Sequence, residues 1–157
     1  MRTFSLLKGM PIVDVKSGAK IGEVSDIQIT GEGNVKGLLV QKGAFLKKTF
    51  LIDINDVSSF GWDGVMVHDQ SALQPLKDKS DYTFESENSL AGKVMMTREG
   101  EKLGLLEDVY FQEEVGTIVG YELSDGFFSD MLEGKRVIKT DKPPAIGKDT
   151  IIVNVKM

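Results

Sequence analysis

The 157-residue chain contains no cysteine and a single histidine, His68. The missing cysteines exclude disulfides, thiolate nucleophiles and cysteine zinc sites. A lone histidine excludes a histidine pair, a zinc triad or a serine-histidine relay built within one chain. We therefore expect no catalytic residue, no bound metal and no cofactor.

Long apolar runs are also missing. No segment approaches the roughly 20 apolar residues of a membrane span, and the first apolar run is too short for a signal peptide. We expect a cytoplasmic protein that does not insert into a membrane. The net charge is −5, and it is uneven: residues 1–76 hold 8 basic and 8 acidic side chains, and residues 77–157 hold 11 and 16. The acidic second half disfavours broad nucleic-acid binding there.

One short stretch of the chain is used twice. Four of its residues recur 82 positions later: Gly18, Lys20, Gly22 and Asp26 in the first copy are Gly100, Lys102, Gly104 and Asp108 in the second. We predict that the glycines form turns or β-bulges and that each aspartate accepts backbone N–H bonds. The alternative, a pair of carboxylates acting together, is disfavoured because the two positions lie on separate copies.

Proline is scarce and glycine abundant, with 4 and 17 residues. Short apolar runs separated by glycine turns predict an all-β fold of two tandem small barrels. We place the first repeat at residues 1–76, a linker at 77–88 and the second repeat at 89–157. Tyr82 and Phe84 interrupt the polarity of the linker, which indicates that it is pinned to one barrel.

The two halves differ most after the third strand, where the second half has an apolar stripe. Its members are Phe127, Phe128, Met131 and Leu132. Their spacing predicts one short helix in the second repeat, between Asp125 and Gly134. The favoured interpretation is a stripe packed as core, and the alternative is a contact patch that selects a basic partner.

At the corresponding place the first half has a basic and aromatic loop. The candidate interaction residues are Lys42, Phe45, Lys47 and Lys48. Such loops bind single-stranded RNA. The favoured alternative is an ordinary hairpin tip whose lysines lie in water.

Acidic groups offer a third, less favoured class, a metal-dependent enzyme. Glu113 and Glu114, or the group of Asp125, Asp130 and Glu133, supply ligands for a hard cation. They lack the alternating spacing of a calcium loop, so a solvated acidic face is the better interpretation.

The duplicated glycine and aspartate pattern is followed by an apolar strand with an internal glycine, by Ile54 to Val57 and by Gly61 to Val65. Together these motifs resemble the PRC-barrel family, which includes a domain of the photosynthetic reaction centre H subunit and the C-terminal domain of the ribosome maturation factor RimM. The resemblance covers nearly the whole chain. It implies about half a dozen strands per repeat, a role in protein contacts and, in the RimM branch, ribosome assembly.

The family motifs are structural, so no functional residue carries over. We expect a non-enzymatic protein-interaction or adaptor module with a protein partner and a capacity for self-association. The alternative is an RNA- or ribosome-associated factor, with a RimM-like role in ribosome maturation or RNA metabolism.

Overall fold

A computed structural model describes residues 1–76, 81–124, 136–140 and 142–154. The first repeat contains β1 (Arg2–Thr3), α1 (Phe4–Leu7), β2 (Pro11–Asp14), β3 (Lys20–Ile29), β4 (Val35–Lys42), β5 (Lys48–Asp53), β6 (Val57–Phe60), β7 (Val65–Val67) and β8 (Gln74–Pro75), with 3-10 turns at Ile54–Asp56 and Gln70–Ala72. The second contains β9 (Tyr82–Thr83), β10 (Val94–Thr97), β11 (Lys102–Phe111), β12 (Ile118–Ser124), β13 (Arg136–Lys139), β14 (Ala145–Ile146) and β15 (Thr150–Val153).

The two repeats have the same strand order. In the first, neighbours run β6-β7-β2-β3-β4-β5, and in the second they run β14-β15-β10-β11-β12-β13. The opening strand of each sheet pairs in parallel with a late strand, β2 with β7 and β10 with β15. This pairing brings both ends of the repeat together and curls the sheet. The prediction of an all-β fold with two barrel-like repeats is confirmed.

The described helix is α1, in the first repeat, where the sequence predicts none. Thr3 caps it by accepting a bond from the N–H of Leu6. The predicted helix of Phe127, Phe128, Met131 and Leu132 lies outside the described residues, as do Asp125, Asp130 and Glu133.

The long strands β3 and β11 bend at the same place in each copy. Their pairing with the next strand shifts register between Val24 and Asp26 and between Leu106 and Asp108. Close to each bend, a glycine lets the neighbouring strand approach closely. A Cβ at Gly22 would lie 2.6 Å from Val40 Cγ1, and a Cβ at Gly104 would lie 2.5 Å from the Ser124 carbonyl oxygen. Gly18 and Gly100 lie in the preceding turns with φ of 72° and 88°.

Each repeat lends its first strand to the other repeat. Strand β1 pairs with β11, with Arg2 opposite Phe111, and β9 pairs with β3, with Tyr82 opposite Ile29. Strand β2 pairs only with the first part of β3, and β10 only with the first part of β11. Beyond the bend, the remaining edge of β3 is covered by β9 and that of β11 by β1. Since open strand edges invite unwanted pairing, the exchange protects both sheets.

The exchange joins the two cores. Phe4 and Phe84 follow the exchanged strands, and their ring centroids lie 4.9 Å apart. Both belong to one hydrophobic cluster that includes core residues of both repeats, such as Ile27 and Val109. Residues 77–88, which the sequence assigns to a linker, thus include strand β9 and the buried Phe84. The described repeats therefore share one core.

Candidate interaction surfaces

The two repeated aspartates hold the exchanged segments in place. Asp26 is buried, and its carboxylate accepts bonds from the N–H groups of Phe84, Glu85 and Ser86 at 2.8 to 3.2 Å. It also accepts one from the N–H of Ile27, at 2.8 Å. This carboxylate therefore ties the start of the second repeat to the first.

Asp108, in the second repeat, ties down the start of the first repeat. It accepts bonds from the N–H and the hydroxyl of Ser5, and one from the N–H of Val109 at 2.9 Å. The carboxylates thus bind backbone at the bends of β3 and β11. The arrangement is structural, since each carboxylate is occupied by donors from the opposite repeat.

The structure groups no three histidine, cysteine, aspartate or glutamate residues for a metal within the described ranges. His68 is exposed at the end of β7. Glu113 faces cations of its own chain, since Oε1 accepts a bond from the Met1 ammonium at 2.9 Å and Oε2 lies 3.8 Å from Arg2 Nε.

An exposed tryptophan lies where the two repeats meet. Trp62, in the turn between β6 and β7, is 86% exposed. The guanidinium of Arg2 lies behind it, 5.3 Å from the Trp62 ring centroid and 6.0 Å from that of Phe60. Arg2 is only 9% exposed, and its Nη2 donates to the Phe60 carbonyl at 2.6 Å. We call Arg2, Phe60, Trp62, Glu113 and Glu114 the seam surface.

A cavity of about 340 Å³ opens on the seam surface. It is lined by β6, by residues just before that strand, and by Glu113 and Glu114 of the second repeat. Within the part of the chain that the structure describes, Glu113 Oε2 is buried and accepts no hydrogen bond. The cavity thus combines one aromatic residue, Phe60, with two glutamates.

The basic loop forms the hairpin tip, which we define as residues Lys42 to Lys48. Strands β4 and β5 pair as far as Lys42 opposite Lys48. Beyond that pair Phe45 is 98% exposed and Leu46 91% exposed, and the three lysines are exposed as well. Lys48 Nζ lies 5.5 Å from the ring centroid of the half-buried Phe50. The structure therefore places the predicted loop residues together and adds Leu46.

Sequence reasoning missed the seam surface. Trp62, the only tryptophan, lies in a glycine-flanked turn, which was a usable signal for an exposed ring. Arg2 gave no signal, because its role depends on the exchange of β1.

Tyr121 supplies a pH-dependent element near another contact between the repeats. There Val35 N donates to the Gly116 carbonyl at 2.7 Å, and Asn34 bridges to Thr117. Burial raises the pKa of Tyr121 to about 12, from an ordinary value of 10.0. Because the fold favours the neutral phenol, its contribution is complete below pH 10 and is lost as pH rises through about 12.

We therefore expect stability to fall between these pH values by about 2–3 kcal/mol more in the wild type than in Tyr121→Phe, since each pKa unit corresponds to about 1.4 kcal/mol. Urea unfolding at a series of alkaline pH values measures the difference. Parallel curves for the two proteins would contradict the assignment.

The two repeats match a known protein family. The model of the PRC-barrel domain matches residues 1–73 and 84–156, so the chain belongs to the PRC-barrel family. The second match begins inside the segment that the sequence assigns to the linker. The chain is similar to "Uncharacterized protein YrrD" of Bacillus subtilis (strain 168), at 36% identity over 157 residues, covering 98% of this chain and 88% of that protein. None of the described helices has both the length and the apolar character to cross a membrane.

Proposed function

We propose that this PRC-barrel protein is a cytoplasmic, non-enzymatic adaptor that docks a protein partner on the seam surface. The observation that carries the proposal is Trp62, whose exposed ring is backed by the buried Arg2. Tryptophan and arginine are the residues most enriched among those that dominate binding energy. A ring already held in place loses little freedom on binding, which favours affinity.

The chemistry of the surface indicates the kind of partner. Glu114 is exposed and lines the cavity beside the Phe60 segment, next to Glu113, which already pairs with the Met1 ammonium. A lysine or arginine side chain gains charge-assisted bonds from carboxylates and a favourable contact with aromatic faces. The expected partner therefore presents a basic residue next to an apolar one.

Trp62→Ala is expected to weaken partner binding by at least about ten-fold, a typical loss at a dominant interface residue. Unfolding should change by less than about 0.5 kcal/mol, because the ring is exposed. The partner is first captured from native cytosol through a photoreactive amino acid at position 62. Affinities of the wild type and Trp62→Ala are then compared by titration calorimetry, which needs no tryptophan. In the wild type the emission of Trp62, the only tryptophan of this chain, should also shift to the blue, because binding moves its exposed ring out of water.

Val137, which is 48% exposed on β13, is the matched control position for crosslinking. Glu114→Lys should also weaken binding if the partner is basic. Equal crosslinking at positions 62 and 137, or full affinity in Trp62→Ala, would contradict the proposal.

The hairpin tip supports a second candidate, an RNA- or ribosome-associated factor, because Lys42, Lys47 and Lys48 surround an exposed ring. A band shift on single-stranded RNA that weakens steeply with salt and is lost in Lys47→Ala with Lys48→Ala would favour it. No band shift at low salt would exclude this role for the tip.

A further inference from the structure

The apex of the hairpin tip carries two neighbouring apolar side chains entirely in solvent. Phe45 and Leu46 are more exposed than any other large apolar side chain in the described ranges. They lie beyond the last paired residues of the hairpin, so no part of the barrel covers them. A convex apex offers no groove in which a peptide or a helix of a partner could lie.

The charge around this apex differs from that of the whole chain. The hairpin tip, residues 42–48, contains three lysines and no acidic residue, although the net charge of the chain is −5. The carboxylates beside it are Glu87, which shares a cavity with Lys47 and Lys48, and Glu23, which shares one with Lys47. Lys42 and Lys48 lie opposite each other as the last paired residues before the apex, and Lys47 is next to Lys48 in the chain. At about 3.3 Å per residue, this pair lies at most about 10 Å from Phe45.

This combination matches the layers of a membrane surface. Apolar side chains enter about 5–10 Å into the boundary between headgroups and acyl chains. Lysines at the base then meet the phosphates of anionic lipids. We propose that the hairpin tip inserts Phe45 and Leu46 into the surface of a membrane rich in anionic lipid, without crossing it.

RNA fits the same tip less well. A nucleic-acid strand without sequence preference stacks successive bases on several aromatic faces. Here the apex has one ring beside an aliphatic side chain, and Lys48 lies close to the ring of Phe50. The tip therefore offers one free ring instead of a stacking platform.

The test is flotation of the full-length protein with phosphatidylcholine vesicles, alone and with about a third of the lipid replaced by phosphatidylglycerol. Binding is expected only to the anionic vesicles. Phe45→Ser with Leu46→Ser should lower binding at least about ten-fold, because each methylene withdrawn from the apolar phase weakens partitioning about four-fold. Lys47→Gln with Lys48→Gln should weaken binding several-fold and flatten its salt dependence.

Val115→Ser is the matched control, since Val115 is 64% exposed but follows Glu113 and Glu114; it should bind like the wild type. Depth is measured with Phe45→Trp in a Trp62→Phe background, whose emission should be quenched by brominated lipid.

Several results would overturn the proposal. These are no wild-type binding to anionic vesicles, full binding by the Phe45→Ser with Leu46→Ser variant, or no quenching at position 45. RNA binding or self-association that needs the apex, without vesicle binding, would overturn it in favour of those partners. The outcome is independent of docking at Trp62, which lies on a different hairpin.

Discussion

Phe84→Ala is expected to lower the free energy of unfolding by about 3–5 kcal/mol and to leave a single unfolding transition for both repeats. Phe84 is 2% exposed and packs against Phe4 in the core that the repeats share. Removing the ring leaves a cavity where both exchanged segments meet. Urea unfolding should be followed by tyrosine absorbance, which reports the second repeat because Tyr82, Tyr110 and Tyr121 lie there, and by far-ultraviolet circular dichroism, which reports both repeats.

Phe45→Ala is the matched control for this change, because Phe45 is almost completely exposed. It should alter unfolding by less than about 0.5 kcal/mol. Two separate transitions already in the wild type, or a loss in Phe84→Ala no larger than in the control, would show that the shared core contributes little.

Asp26→Ala is expected to lower the free energy of unfolding by about 2–4 kcal/mol. The change removes the acceptor for four backbone N–H groups, and a buried donor left without a partner costs about 1–3 kcal/mol. The total stays below a simple sum because water reaches the exposed Glu85 and Ser86. Asp26→Asn keeps one acceptor oxygen and should fall between alanine and the wild type.

Two further variants calibrate this measurement. Asp108→Ala should lose less than Asp26→Ala, because Asp108 accepts backbone bonds from only Ser5 and Val109 in the described part. Glu23→Ala, three residues from Asp26 on the exposed face of β3, should lose at most about 1 kcal/mol with its Lys20 ion pair. A loss in Asp26→Ala equal to that in Glu23→Ala would remove the proposed role of the carboxylate.

The sequence predicts much of the fold because the relevant signals are local and occur twice. Glycines recurring at one spacing indicate shared turns, and a slip of alternation common to both copies indicates the bend of β3 and β11. The exchange of first strands has no such signal. Strands β1 and β9 have two residues each, too few for periodicity, and β1 pairs with residues more than 100 positions away. Tyr82 and Phe84, two aromatic rings in a polar segment, are the local signs of it.

The two candidate interaction surfaces also differ in how far the sequence predicts them. The hairpin tip could be predicted because lysines and Phe45 are adjacent in sequence. The seam surface could not, since it joins Arg2 and Glu113 to a turn about 60 residues from one and 50 from the other. Such a surface exists only after the repeats have exchanged strands.

The strand exchange also has a consequence for function. Because both surfaces belong to one continuous scaffold, a partner on the seam surface and a membrane at the hairpin tip would be held at a fixed separation. Loops on a rigid framework are where PRC-barrel repeats with the same core can acquire different contacts.

The single folding unit formed by the two repeats is tested most directly by native-state hydrogen exchange across a series of urea concentrations, comparing backbone amides of β3 with those of β11. In the wild type, both sets should share one opening free energy and one urea dependence. Asp26→Ala removes a carboxylate of the first repeat that binds backbone N–H groups at the start of the second. In this variant, the protection of β11 should fall by the same amount as that of β3. Wild-type protection of β11 in that variant would show that the repeats unfold independently and would contradict the shared core.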